Sequence, residues 1–283
     1  MVFFIAEISS NHDQNIDRCI QLIDKAAEIG CDAVKFQLFK IDKLFAAEIL
    51  RHRPEVAARK QWELPVAFLP LLAARCKEKN IQFSCTPFYL EAVAELEPYI
   101  AFYKIASYAL LWDELLVKCA KTNKPIILST GMATLLEVAH AVDILKRHGC
   151  EDLTLLHCVS AYPTPLAESN LAAINSLRIM FGCRVGWSDH TVQPCVLQRA
   201  IHRWGAEVIE FHFDLEGHGA EFKNGHCWLP RDIQVVINQI RNGFAADGFG
   251  IKEPAFSEMA ERNWRTDVLD GLRPLLETRK AYL

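Results

Sequence analysis

Although the 283-residue chain carries ten cysteines, no two of them stand at CxxC spacing. Cys19, Cys76, Cys119 and Cys195 fall singly in helical patterns, and Cys85, Cys158 and Cys183 in strand-like runs. That scatter argues against a zinc ribbon or a disulfide framework and points to a reducing, cytoplasmic setting. No apolar run reaches the length of about 18 residues that a membrane span needs, and the opening VFFIAEI is too short for a signal segment, so no membrane partner is expected. A basic run is missing too. Lys and Arg number 31 against 35 Asp and Glu, a net charge of −4, which argues against nucleic acid as a partner. Finally, the turn after the first strand-like run, AEISSNHDQ, holds no glycine. A dinucleotide-binding open sheet would need a Gly-rich phosphate loop there. Neither an internal repeat nor a low-complexity linker breaks the chain.

What is present is an alternation. Hydrophobic residues make up 51% and charged residues 23%, enough for a large core and too apolar for disorder. Short β-rich runs at 2–9, 32–39, 81–88, 101–107, 125–131, 153–160, 183–190 and 207–215 alternate with amphipathic helical patterns at 16–29, 66–79, 90–96, 113–122, 135–148, 171–181, 192–204 and 231–244. Eight such βα units with short connections predict an α/β fold, a (β/α)8 TIM barrel, over 1–247. A short helical tail, 248–283, is too small to be a separate domain. The charged connection Lys40–Pro65 is too long for a plain turn and is expected to be a lid or rim element.

Polar residues collect at the C-terminal ends of the predicted strands. In VIEFHFDLEG (208–217), Glu210, His212 and Asp214 fall on one face by the two-residue strand period. In RVGWSDHT (184–191), Ser188 and His190 share a face with Asp189 opposite. Two neighbouring strands each delivering an imidazole suit a divalent metal with an open coordination side. The other strands end in Glu7, Asn11 and His12; Lys35 and Gln37; Ser84 and Thr86; Lys104 and Ser107; Ser129 and Thr130; His157 and Ser160. In a barrel these ends form one rim, where active sites sit. Lys35 and Lys104 follow apolar runs and should be partly buried, so each needs an anion. With Thr86, Ser107, Ser129 and Ser188 they suit a small ligand bearing phosphate and carboxylate groups. Three rival accounts use the same residues. The lysines could pair with Glu7 and Glu210 in a closed internal network. One of them could form a Schiff base as in an aldolase or lyase. The chain could also be a non-catalytic binding subunit of a sugar pathway.

Eight motifs in this order, AEISSNH, VKFQ, FSCTPF, YKIAS, KPIILSTGM, LLHCVSAYPTP, GWSDHT and IEFHF, resemble the N-acetylneuraminate (sialic acid) synthases and their spore-coat and legionaminate-type relatives. The resemblance runs from about residue 2 to residue 230. It implies a homodimeric TIM-barrel enzyme, dependent on Mn2+ or Mg2+, that condenses phosphoenolpyruvate with an N-acetylated amino sugar. The products are a nine-carbon 2-keto sugar acid and phosphate. By position it implies phosphoenolpyruvate contacts from Lys35, Thr86, Lys104, Ser107, Ser129 and Ser188, metal ligation by His190 and His212, and acceptor contacts from Glu7, Gln37 and Tyr162. Four departures are visible. Asp13–Gln14 stands where the family has a glycine after NH. Ser160 stands where some members have Asn. GAEFKNGHCWLP offers Glu221, with His226 nearby, in place of a GPDH-like acidic contact. No C-terminal antifreeze-like domain is expected, so Arg262, Arg265 or Arg273 of the tail, or a separate chain, is expected to replace the arginine that domain supplies.

Overall fold

The eight strand runs close on themselves. A computed structural model describes residues 2–219 and 221–283. It places β1 (Phe3–Glu7), β2 (Ala33–Leu38), β3 (Gln82–Pro87), β4 (Phe102–Ile105), β5 (Ile126–Ser129), β6 (Leu153–Cys158), β7 (Arg184–Asp189) and β8 (Val208–Phe213) in sequential, parallel order, with β8 pairing back to β1. The chain is thus a (β/α)8 barrel. The main covering helices are α1 (Ile16–Glu28), α5 (Leu69–Glu78), α6 (Leu90–Leu96), α7 (Asp113–Ala120), α8 (Leu135–Arg147), α9 (Ala173–Phe181), α10 (Pro194–His202) and α11 (Pro230–Ala246). Between β2 and α5 lie three short helices, α2 (Ile41–Leu44), α3 (Ala47–His52) and α4 (Pro54–Ala57), where the sequence showed only a long charged connection. A ninth strand, β9 (Cys227–Trp228), pairs with the end of β8, Cys227 opposite His212. No helix among the described residues is long and apolar enough to cross a membrane.

Local chemistry explains where helices begin. Asn15 caps α1 by accepting from the Arg18 amide at 3.0 Å, and Thr134 with Glu137 forms a reciprocal capping box on α8. The helical pattern at 66–79 resolves into a 3-10 turn, Val66–Phe68, followed by α5, because Pro70 sits in the first turn where its missing N–H is harmless. Strands have two apolar faces. Outward side chains such as Phe4, Val34, Phe36, Cys85, Tyr103 and Trp187 form the main core with the helices. Inward side chains Ile5, Ala33, Phe102, Ile127, Leu156 and Val208 fill the N-terminal half of the barrel. Gly186 is needed on β7, since a Cβ there would meet the Val208 carbonyl oxygen at 2.1 Å and Leu156 Cδ2 at 2.7 Å.

Two compact units divide the chain, Met1–Asn242 and Gly243–Leu283. The second holds short helical turns and α12 (Leu276–Arg279). Within it, Asp267 accepts from the Leu269 and Leu276 amides, Arg265 Nε donates to the Arg262 carbonyl, and Arg273 Nε donates to the Trp264 carbonyl.

Candidate active site

One step of two residues beyond the apolar inner layer, the same inward face turns polar. Glu7, Lys35, Lys104, Ser129, Ser188 and Glu210 follow Ile5, Ala33, Phe102, Ile127, Gly186 and Val208 along their strands, His212 comes one such step after Glu210, and all are at least nine-tenths buried. Lys35 Nζ is paired with Glu7, donates to Thr86 Oγ1 at 3.1 Å and stands 3.8 Å from Glu210. Lys104 Nζ is 3.2 Å from the other Glu210 oxygen, which also accepts from Ser188 Oγ at 2.9 Å. The internal lysine–carboxylate network weighed from sequence is therefore what this structure contains.

Electrostatics within the ring are set by burial against partners. Burial by itself would lower the Lys35 pKa, but the Glu210 and Glu7 carboxylates overcome it and leave that pKa raised. Lys104 goes the other way: burial, with the Lys35 charge adding to it, outweighs Glu210 and lowers its pKa. Burial works against the Glu210 carboxylate as well, yet Lys104 and Lys35 bring it down to about 2.

A second group lies toward β9. His212 Nδ1 donates to Glu221 Oε2 at 2.7 Å, and the Ser9 hydroxyl donates to the other oxygen of the same carboxylate. Burial would lower the His212 pKa, but Glu221 raises it above the ordinary imidazole value. Burial would likewise raise the Glu221 pKa, but the His212 charge holds it far below the carboxylate range. Gln37 Nε2 links the two groups, donating to Glu7 at 2.8 Å and to Ser9 at 3.0 Å. The rings of His190 and His212 lie 5.3 Å apart, with Tyr162 over His190 at 4.3 Å and His226 4.6 Å from His212. His190 Nδ1 donates to the Val159 carbonyl at 2.8 Å, and burial next to His212 lowers its pKa to about 3, so it stays neutral.

A third group suits an anion. Ser107 Oγ accepts from the Gly131 amide at 2.9 Å and lies 3.1 Å from Cys158 Sγ. The hydroxyls of Ser129 and Ser160 are buried with no partner among the described residues. A Cβ at Gly131 would fall 2.4 Å from Ser160 Oγ, so the glycine keeps this cradle open.

Some expectations need correcting. Asp214 does not join Glu210 and His212: β8 ends at Phe213, and Asp214 is fully buried against the Gly217 and Gly219 amides and Arg18. Nor does His157 face the rim. Its position on β6 points outward, where its ring packs 5.3 Å from Trp187 and Nε2 bonds the Ser169 carbonyl. Asp13 and Gln14, standing where glycine is usual, both take left-handed φ of 50°, and Gln14 Nε2 ties the turn to the Glu63 carbonyl at 2.8 Å. Ser9 and Cys227 were not singled out from sequence. Ser9 sits in a turn with φ 48°, outside any strand period, and Cys227 lies in a strand too short to show one.

The donor set fits a divalent cation. His212, Glu221, His226 and Cys227 each offer one ligand atom, all within 4.8 Å of one another, and His226 Nδ1 is a buried nitrogen without a partner among the described residues.

Comparison with known proteins agrees with the barrel. Residues 22–252 match the family model described as the NeuB family. The N,N'-diacetyllegionaminic acid synthase of Campylobacter jejuni is 35% identical over 272 residues, covering 92% of this chain and 81% of that protein. A pseudaminic acid synthase from the same species is 33% identical over 261 residues, covering 88% and 76%. The crystal structure of an N-acetylneuraminic acid (sialic acid) synthetase from Leptospira borgpetersenii, in complex with citrate, superposes with a TM-score of 0.81 at 30% identity, covering 94% of this chain and 92% of that one. With the barrel complete and the family match running through most of it, this chain belongs to the NeuB family.

Proposed function

We propose that this chain condenses phosphoenolpyruvate with an N-acetylated amino sugar resembling N-acetylmannosamine, giving a nine-carbon 2-keto sugar acid and phosphate. The observation that carries the reading is the pair of buried lysines beside a cradle in which the hydroxyls of Ser129 and Ser160 have no partner among the described residues. Family membership supports it. The named relatives make different acids at similar identity, so similarity alone does not select the sugar.

In this reading Lys35, Thr86, Lys104, Ser107, Ser129 and Ser188 hold phosphoenolpyruvate, and Ser160 completes the cradle. Lys35 and Lys104 must exchange carboxylate contacts for phosphate and carboxylate of the substrate, which costs little only if their charge remains paired. Glu7, Gln37, Tyr162 and Glu221 face the sugar. The bond forms from C3 of phosphoenolpyruvate to the sugar aldehyde carbon, whose oxygen takes up a proton. Water adds at C2, the C2–O bond to phosphorus breaks, and phosphate leaves with its charge held by the two ammonium groups and the hydroxyls.

A charge count argues for a divalent cation, Mn2+ or Mg2+, held at His190 and His212. Glu7 and Glu210 offset Lys35 and Lys104, and Glu221 adds a carboxylate beside His212, so the ring has no positive charge to spare for a polyanionic substrate. When bound, such an ion would polarise the aldehyde. The ten free cysteines fit a reducing compartment.

One observation favours a second reading: Lys104 is the lysine whose pKa burial lowers, as a Schiff-base lysine requires. The test is phosphate release from phosphoenolpyruvate with a panel of N-acetylated hexoses, with and without Mn2+. Acceptor-dependent release abolished by chelator is expected. Chelator-resistant turnover together with borohydride trapping of pyruvate on Lys104 would replace this reading with the aldolase.

A further inference from the structure

Three consecutive strands end on one spot. Ser107 lies in the 3-10 turn that follows β4, Gly131 comes two residues after β5, and Cys158 is the last residue of β6. A Cβ at Gly131 would stand 2.4 Å from Ser160 Oγ, 2.8 Å from Cys158 Sγ and 2.9 Å from Ser107 Oγ, so all three atoms border the same small space. Cys158 follows Leu156 by one inward step and is 4% exposed, which makes it the β6 member of the polar ring. The condensation as written gives this sulfur no role. The space around it is prepared for a ligand. Ser129 is 2% exposed, sits on the inward face of β5 after Ile127, and its hydroxyl has no partner among the described residues; the buried Ser160 hydroxyl has none either. Buried hydroxyls left unbonded are costly, so both call for an acceptor from outside the chain.

Cys158 decides which way the Ser107 hydroxyl points. Burial pushes the thiol pKa up, more than Ser107 and the Lys104 charge pull it down, so at neutral pH the sulfur carries its proton. That proton needs an acceptor. The Lys104 ammonium and the Gly131 amide beside it can only donate, and Ser160 Oγ is unbonded, which leaves Ser107 Oγ at 3.1 Å. Ser107 Oγ already accepts from the Gly131 amide at 2.9 Å. Accepting from amide and thiol together occupies both lone pairs of the hydroxyl oxygen. Its own hydrogen is then turned away from both donors, and no other residue bonds Ser107 Oγ among the described ones.

We propose that Cys158 is a positioning residue for phosphoenolpyruvate: its S–H donates to Ser107 Oγ and so commits the Ser107 hydroxyl to donate to an anionic oxygen of the substrate. The inference rests on the condensation proposed above only for the identity of the anion; the hydrogen-bond chain stands on geometry. Without the sulfur, the Ser107 hydroxyl keeps one fixed partner and can rotate about its Cβ–Oγ bond. Substrate must then order it on binding, which weakens the complex. The contact is made in the ground state as much as later, so its loss raises KM and leaves kcat in place.

The test compares the native full chain with Cys158→Ala, Cys158→Ser, Ser107→Ala and the double variant of Cys158→Ala with Ser107→Ala. Phosphoenolpyruvate binding is read by calorimetry without acceptor, then kcat and both KM values by phosphate release with Mn2+. Ser107→Ala should weaken phosphoenolpyruvate binding by about 10–100-fold, the worth of one hydrogen bond to a charged group. Cys158→Ala should weaken it about three- to tenfold and raise the phosphoenolpyruvate KM alike, with kcat and the sugar KM within about twofold of native. Cys158→Ser keeps a donor in the same direction and should return binding to within about twofold of native. In the Ser107→Ala background, Cys158→Ala should change nothing further. Native phosphoenolpyruvate binding in Cys158→Ala overturns the proposal. So does an equal loss with and without Ser107, which would make the sulfur a packing group. Should Cys158→Ala fail to fold by circular dichroism, Cys158→Val, which fills the space without a donor, is read against Cys158→Ser with the same expectations. Binding that follows this pattern without phosphate release for any acceptor sinks the condensation alone. Phosphate release with a phosphoenolpyruvate KM indifferent to Cys158→Ala sinks the positioning role alone, and a native chain that does not bind phosphoenolpyruvate sinks both.

Discussion

The two halves of the barrel interior are built from the same strands and the same face, yet they answer to different physics. Toward the N-terminal ends, Ile5, Ala33, Phe102, Ile127, Leu156 and Val208 touch one another and stabilise the barrel by burial. One two-residue step on, Glu7, Lys35, Lys104, Ser129, Cys158, Ser188 and Glu210 occupy equivalent positions and are equally buried. Ionised groups in such a place are stabilised only by one another, and well-packed apolar residues would serve the fold as well or better. The lower layer is therefore there for stability, and the upper one is retained for chemistry at a cost to it.

Exchanging the character of the layers gives the largest effects. Lys35→Met with Glu7→Gln removes both members of the buried pair. Stability by urea denaturation should stay within about 1 kcal/mol of native or rise by up to about 4 kcal/mol. Phosphate release should fall at least about 10²–10³-fold. Lys104→Met alone should show the same loss of turnover but lower stability by about 3–5 kcal/mol, since Glu210 is left without its nearest ammonium. A double variant that loses stability as steeply as the single one would erase the distinction between layers.

The lower layer predicts the opposite split. Leu156→Ala should cost about 2–5 kcal/mol in unfolding free energy while the folded fraction keeps kcat within about threefold. Gly186→Ala should cost about 1–3 kcal/mol or more by overpacking, because the added carbon meets the Val208 backbone rather than a movable side chain. A large change in the phosphoenolpyruvate KM from Leu156→Ala would show that the layers are coupled.

This layering was legible in the sequence because a period of two survives wherever strands are long enough to express it. The eight strands and the inward placement of Lys35, Lys104, Glu210 and His212 follow from it, and most helices from the 3.6-residue period. What escaped were positions set by contacts far apart in the chain. Asp214 leaves the inward face because Arg18, 196 residues away, and two glycine amides hold it. Asn11 fixes the loop that carries Glu221 by accepting from its amide at 2.9 Å, a contact spanning 210 residues. Nothing local marks such pairs. Cys227 lies in a two-residue strand with no pattern around it, so only the pairing with β8 reveals that it stands beside His212.

The smallest expected effect concerns pH, at the seam between the charged ring and the β9 group. The His212 pKa is raised in the fold, so its contribution is complete below the ordinary imidazole value of about 6.5 and is lost as pH climbs through the folded value. Glu221 is depressed, so its contribution is present above the ordinary carboxylate value of about 4.3 and is lost only as pH falls through a much lower one. Both conditions hold together between about pH 4.5 and 6.5. In chelator-treated protein, Glu221→Gln should therefore destabilise most in that window, and the gap to native in urea midpoint should narrow as pH rises into the alkaline range. His212 keeps only the neutral amide of the variant as partner, whereas Ser9 and Gln37 still bridge to Glu7, which limits the loss. A gap that widens with rising pH would mean that the imidazole is neutral in the free protein and that Glu221 is held by its other partners, Ser9 and His226.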